Sequence, residues 1–266
     1  MNSNYMPNNA APRGEQYGAR VLDCFIDAIS WQATLQTLSR WSQRRESRYV
    51  CICNVHSVIT SRHDAAFGQA LEHADMCTAD GMPVTWMLRH IGFPDQQRIN
   101  GPDLMWRYCA LAEQRGEPIF FYGNTEHTLA TLSQKLLQAF PRLQIAGTYA
   151  PPFRALTAAE DTAIVERINA SGARIVFVSL GCPKQELWMA GMRGRIDAVM
   201  IGVGAAFDYH AGTLKRAPLW MQQNGLEWFY RLCAEPRRLW KRYFVTNSLF
   251  IAGALRQLAL HKLKRQ

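Results

Sequence analysis

The chain has 266 residues, 48% hydrophobic and 19% charged, which is enough for one large α/β domain with an appendage and too apolar for a disordered chain. Its net charge of +9 is concentrated: residues 231–266 carry nine Lys/Arg against Glu235, a balance of +8, whereas residues 1–230 carry 21 basic and 20 acidic side chains, a balance of +1. Seven scattered cysteines without a C-x-x-C pair argue against a disulfide framework or a zinc site, and no apolar run reaches the ~18 residues of a membrane span.

Residues 1–18 are polar, rich in Asn and Pro, and unlike a signal peptide, so a disordered leader and a cytoplasmic location are expected. Residues 19–26 read as a strand and 30–43 as an amphipathic helix. A buried strand is expected over 48–55, a helix over 62–74 and a short strand ending at Asp80. Helices over 101–116 and 127–140 flank a strand at 117–124. The rhythm repeats with a strand at 143–150, a helix at 157–172, a strand at 173–181, a helix at 183–194 and a strand at 196–204. Such alternation predicts an α/β fold: mostly parallel, Rossmann-like sheets with helices on both faces. From Pro218 the strand pattern stops, and the rest reads as a helical appendage rich in aromatic and basic residues. The expected organisation is therefore a leader over 1–18, a core over 19–217 and an appendage over 218–266.

Ligands of parallel sheets bind at the carboxyl ends of the strands. That rule lines up Asn54, Asp80, Gly123, Asn124, Gly181, Lys184, Gln185, Gly204 and Asp208 on one rim. Each has a plain structural reading beside the functional one. Asp80 in ADGMPV is a general-base candidate, yet Asp before a helix is often its N-cap. Asn100 and Asp103 in RINGPDL suit a turn and a cap, whereas Arg98 has less structural excuse and suits a carboxylate or phosphate partner. The glycine turns FYGN, SLGCPKQE and GVGAAFDYHAG offer backbone N–H groups to phosphate, but none is a Walker loop or a G-x-G-x-x-G. His210, alone, reads as structural. The missing D-x-D argues against the metal-chelating carboxylate pair of many nucleotide-sugar enzymes. G-x-S-x-G and H-E-x-x-H are missing too, which weakens serine-hydrolase and zincin readings, and no cofactor is expected. Trp240, Tyr243, Phe244, Phe250, Ile251, Ala254 and Leu258 recur near helical spacing among basic residues, a pattern for an anionic membrane surface rather than nucleic acid.

ADGMPV (79–84), RINGPDL (98–104), FFYGN (120–124), SLGCPKQELW (179–188), IGVGAAFDYHAGTLKRAPLW (201–220) and GLEWFYRLCAEPRRLWKRY (225–243) occur in an order and spacing that resembles the WecG/TagA/CpsF family of bacterial glycosyltransferases, over about residues 19–245. The resemblance implies an inverting, metal-independent transfer from a UDP-sugar to a polyprenyl-diphosphate-linked sugar at the cytoplasmic membrane face. It implies Asp80 as the base, Asn54, Asn100, Arg98 and Gln185 around the substrates, and Arg231, Arg237 and Arg238 on the departing diphosphate. It also implies peripheral membrane attachment through residues 231–266 and self-association. The wording of CNVHSVIT and TADGMP is similar to the xanthan-type glucosyltransferase branch, so UDP-glucose is the expected donor, with UDP-N-acetylmannosamine or its uronic acid as the alternative. One departure stands out: Ile52 occupies a position where the family often carries Thr. A nucleotide-binding module without transfer activity is the competing class.

Overall fold

A computed structural model describes residues 17–263. Residues 1–16 of the expected leader lie outside the described residues, as do Lys264 and Arg265 of the tail. The first elements are β1 (Gly18–Val21), β2 (Cys24–Asp27), α1 (Trp31–Gln43), β3 (Arg48–Cys53), α2 (Val55–His63), α3 (Ala65–Glu72), β4 (Met76–Ala79) and α4 (Met82–Ile91). There follow α5 (Gly101–Arg115), β5 (Ile119–Gly123), α6 (Glu126–Ala139), β6 (Ile145–Tyr149), α7 (Ala158–Ala170), β7 (Ile175–Ser179), α8 (Lys184–Met192) and β8 (Val199–Gly202). The chain closes with α9 (Ala206–Ala211), α10 (Leu219–Gln223), α11 (Glu227–Ala234) and α12 (Pro236–Leu263). Strands β3 to β8 form a six-stranded parallel sheet in the order β4-β3-β8-β7-β5-β6, flanked by helices, as the alternating pattern predicts.

The described residues group into two compact units. One holds Gln32–Cys51 and Gly101–Lys215. Its centre is β7, whose IVFVS is buried throughout and pairs with both β5 and β8. Strands covered on both faces must be apolar at every position, which is why this run lacks alternation. Phe121 stacks on Phe177 at 5.9 Å and meets Phe207 edge-on at 5.4 Å, fixing β5, β7 and α9 together. The buried Glu117 side chain is tied in here: its Oε2 accepts from Tyr108 Oη at 2.7 Å and Ser42 Oγ at 3.0 Å. Gly123, at φ 115°, is required where β5 crosses β7, because a Cβ there would run into the Ser179 carbonyl.

The other unit holds the described residues up to Trp31, with Ile52–Asn100 and Arg216 onward. Three sequence expectations are corrected in it. The strand read over 19–26 is an antiparallel hairpin, Gly18–Val21 on Cys24–Asp27, turning at Leu22 with φ 55°. Nothing at Leu22–Asp23 signals that turn locally; it is held from far away, since Leu22 N–H donates to Gln257 Oε1 at 2.7 Å and Gln257 Nε2 donates to the Arg20 carbonyl at 2.6 Å. The strand read over 48–55 ends at Cys53, and Asn54 starts α2 instead. The Asn54 Oδ1 accepts from His56 N–H at 2.9 Å and Ser57 N–H at 3.2 Å, with Ser57 Oγ returning to the Asn54 N–H, a reciprocal cap. The helix read over 62–74 is split by Asp64, which caps α3 through Phe67 N–H. The tail is helical as expected, broken at Asn224–Gly225 and Glu235. Helix α12, about 42 Å long, buries Leu239, Thr246, Phe250 and Ala254, and packs on α2, α4 and α11.

Candidate active site

In the second unit, β4 delivers Asp80 to the end of the sheet, where its N–H donates to the Cys53 carbonyl at 2.8 Å. Asp80 does not cap the helix that follows: Gly81 occupies that position, at φ 82° and with no side chain to offer. The carboxylate is spent on Arg98, whose Nε and Nη2 donate to Oδ1 at 3.2 and 3.1 Å. The same Nη2 donates to Glu227 Oε2 at 2.5 Å. The side chains of Asp80, Arg98 and Glu227 are 20%, 15% and 17% exposed, so the triad is largely screened from solvent.

The electrostatics follow from that arrangement. Burial raises the pKa of Asp80 above the usual carboxylate range; Arg98 opposes this, and Glu227 adds to it. Arg98 is disfavoured by burial, but two carboxylates more than offset this and hold it protonated. The outcome is a carboxylate with some basicity kept in reserve beside a permanent cation. Glu227 was not singled out from sequence, although it stands in the GLEWFYRL phrase; no local rule links it to a residue 129 positions away.

The other predicted residues of this unit divide. Asn54 neighbours the Asp80 turn, its Cβ lying 3.8 Å from where a Gly81 Cβ would be, and its Oδ1 is committed to α2. Asn100, 4% exposed, accepts from Arg216 Nη2 at 3.1 Å. Arg231 and Arg238 lie at 3.9 and 2.6 Å from Glu235, and Arg237 is exposed at the start of α12.

The first unit gathers the remaining predicted residues at the carboxyl ends of β5, β7 and β8. Asn124, at φ 63°, donates its N–H to the Ser179 carbonyl and its Nδ2 to Asp208 Oδ2 at 3.1 Å. Thr213 holds the other Asp208 oxygen at 3.2 Å. Ser179 Oγ donates to the Gly204 carbonyl at 2.8 Å. Gly181 and Gly204 take positive φ, 77° and 54°, so both turns expose backbone. Gln185 is 5% exposed; its Nε2 donates to Glu186, while its Oε1 is buried without a hydrogen-bond partner. A buried carbonyl oxygen left unpaired costs about 1–3 kcal/mol, a cost that a bound donor removes. Lys184 is exposed at the start of α8. His210 is structural, stacked on Trp106 at 5.2 Å with Nε2 2.9 Å from the Pro102 carbonyl. Among the described residues no three His, Cys, Asp or Glu side chains gather to hold a metal ion.

A parallel α/β sheet flanked by helices is a ligand-binding class of fold, with ligands taken at the carboxyl ends of its strands. Comparison sharpens that class. The glycosyl transferase WecG/TagA/CpsF family matches residues 19–264, and the chain belongs to it. It is 31% identical over 221 residues to the N-acetylglucosaminyldiphosphoundecaprenol N-acetyl-beta-D-mannosaminyltransferase of Bacillus spizizenii, covering 82% of this chain and 83% of that protein. The chain is therefore a glycosyltransferase.

Proposed function

We propose that this glycosyltransferase moves an N-acetylmannosaminyl group from a UDP-linked donor to a sugar carried on a polyprenyl diphosphate, with inversion and without a metal. The observation that carries the sugar assignment is the printed activity of the Bacillus relative, an N-acetylmannosaminyl transfer to a diphosphoundecaprenol-linked N-acetylglucosamine, at a coverage above four fifths of both chains. It favours the alternative over the UDP-glucose first expected from CNVHSVIT and TADGMP. A second reading, glucosyl transfer, keeps support from Ile52: it is buried and apolar where the family often offers a hydroxyl, which suits a differently substituted sugar.

The mechanism assigns one proton and one bond exchange. Asp80 takes the proton of the acceptor hydroxyl as its oxygen attacks the anomeric carbon, and the bond from that carbon to the diphosphate breaks. The diphosphate leaves with the electron pair, and Arg231, Arg237 and Arg238 neutralise it by charge-assisted hydrogen bonds. The orphan Oε1 of Gln185 and the backbone turns at Gly123, Gly181 and Gly204 are suited to the nucleotide sugar.

Attachment to an anionic membrane face completes the reading. On α12, Trp240, Phe244, Ile251 and Leu255 are each more than half exposed. At 3.6 residues per turn they fall within about 60° of one another and run about 22 Å along the helix. Exposed Arg237, Lys241 and Lys262 sit on or beside that stripe. No described helix is long and apolar enough to cross a membrane, so such a stripe would lie along the interface.

The test is UDP release in detergent with EDTA present. Polyprenyl-diphosphate acceptors bearing N-acetylglucosamine or glucose are run against UDP-N-acetylmannosamine, its uronic acid and UDP-glucose. Acceptor-dependent release from the N-acetylmannosamine donor alone, lost by a factor of roughly 10²–10⁴ in Asp80→Asn, is expected. Release from UDP-glucose alone would replace the sugar assignment with the second reading. Tight UDP binding without release on any acceptor would favour a binding module.

A further inference from the structure

Only one of the two carboxylates on Arg98 has a task in the reaction above. Glu227, the first residue of α11, makes the shorter contact: 2.5 Å to Nη2, against 3.1 Å from the same Nη2 to Asp80. Asp80 Oδ1 and Glu227 Oε2 are therefore no more than about 5.6 Å apart, the 3.1 Å and 2.5 Å contacts laid end to end. A lone arginine in so screened a place would neutralise Asp80 and leave it a poor base. A second carboxylate at this range changes that in two ways. It competes for the guanidinium, and it adds negative potential where Asp80 must accept a proton. Glu227 stands in the first turn of α11, where the positive end of the helix dipole faces a carboxylate favourably.

We propose that Glu227 is a positioning residue for sugar transfer: by sharing Arg98 with Asp80, it keeps the guanidinium from fully neutralising that carboxylate and so sets its basicity. This rests on Asp80 being the base. The groups facing Asp80 are Arg98 from the segment before α5, Glu227 from α11 and the Gly81 N–H before α4; the second opposes the first and third. The arrangement also ties α11 to the base. Transfer thus depends on a tail residue with no necessary contact to either substrate.

The test uses the full chain with Glu227→Gln, Glu227→Asp and Asp80→Asn. Asp80 is titrated in the free protein by carboxyl ¹³C NMR, its signal identified by loss in Asp80→Asn, and the pH profile of kcat/KM is measured alongside. In Glu227→Gln the Asp80 midpoint and the acidic limb of the profile should move down together by about one pH unit, with a severalfold lower plateau at pH 8. Glu227→Asp, which restores the charge, should recover most of both. An unmoved midpoint, or lost activity that follows a lowered Tm with the limb in place, would overturn the proposal and leave Glu227 a structural ion-pair partner. Full transfer by Asp80→Asn would remove the base itself and overturn the proposal from that side, whatever the titration shows.

Discussion

At the scale of single residues, Arg98 carries the most consequence. Removing it leaves Asp80 and Glu227 as two like charges in a screened site. Arg98→Gln should destabilise the protein by on the order of 3 kcal/mol at pH 8. The sign with pH is fixed: Asp80 loses the cation that lowers its pKa, so its pKa rises further, and the penalty shrinks as acid protonates Asp80. Urea unfolding at pH 8 and pH 5 checks both the size and the trend. Asn54 serves the fold as well as the rim, and Asn54→Ala should cost about 1 kcal/mol through the lost cap of α2. Asn54→Asp, which keeps the capping oxygen, should lose little stability; the difference separates capping from any role at the site. Asp80 was legible because an ionised side chain at a strand end needs a reason. Its two partners were legible to different degrees: Arg98 as a nearby cation, Glu227 not at all, because an ion pair across 129 residues leaves no local pattern.

At the scale of elements, two contacts set stability. Phe177 on β7 touches Phe121 and Tyr108, and Phe177→Ala should cost about 3–5 kcal/mol by opening a cavity in a strand with no slack on either face. Denaturant midpoints with an unchanged m-value would confirm a packing loss. Between α2 and α12, burial together with Arg242 lowers the pKa of His56 to about 4. The unfolded chain, with His near 6.5, takes up this proton first as pH falls. Stability is therefore whole above about pH 6.5 and is lost towards pH 4, at up to about 1.4 kcal/mol per unit. In His56→Gln that part of the slope should vanish, read as the difference between the two urea-midpoint profiles. The parallel sheet was legible element by element, because apolar runs and caps such as Thr157 act within one turn. The hairpin at 18–27 was not, since Gln257 closes it from α12. Nor was the start of α2, which falls at Val55 inside the expected strand and is set by the Asn54–Ser57 cap.

At the scale of the whole molecule, the division of charge matters most. The tail holds +8 of the net +9, and α12 displays an apolar stripe beside part of it. Replacing Phe244 and Ile251 by Ser should weaken sedimentation with vesicles containing anionic lipid while leaving Tm nearly unchanged, since neither side chain is buried. Replacing Lys241 and Lys262 by Gln should lower the same binding by roughly 1 kcal/mol per charge, a loss that high salt masks. Deleting α12 outright is a poor test, because Leu239, Phe250 and Ala254 pack on the rest of their unit and their loss would unfold it.

The sequence by itself determined the α/β class, the basic aromatic tail and, through six phrases, the family. These depend on periodicity, turn chemistry and composition, which act over a few residues and survive in a linear string. Tertiary structure alone decided that 19–26 folds back on itself, that α12 buries one face and displays another, and that Glu227 shares Arg98 with Asp80. Each of these is a long-range choice: its free energy comes from desolvated contacts between segments far apart in the chain, and no residue carries that information until the partner segment is in place.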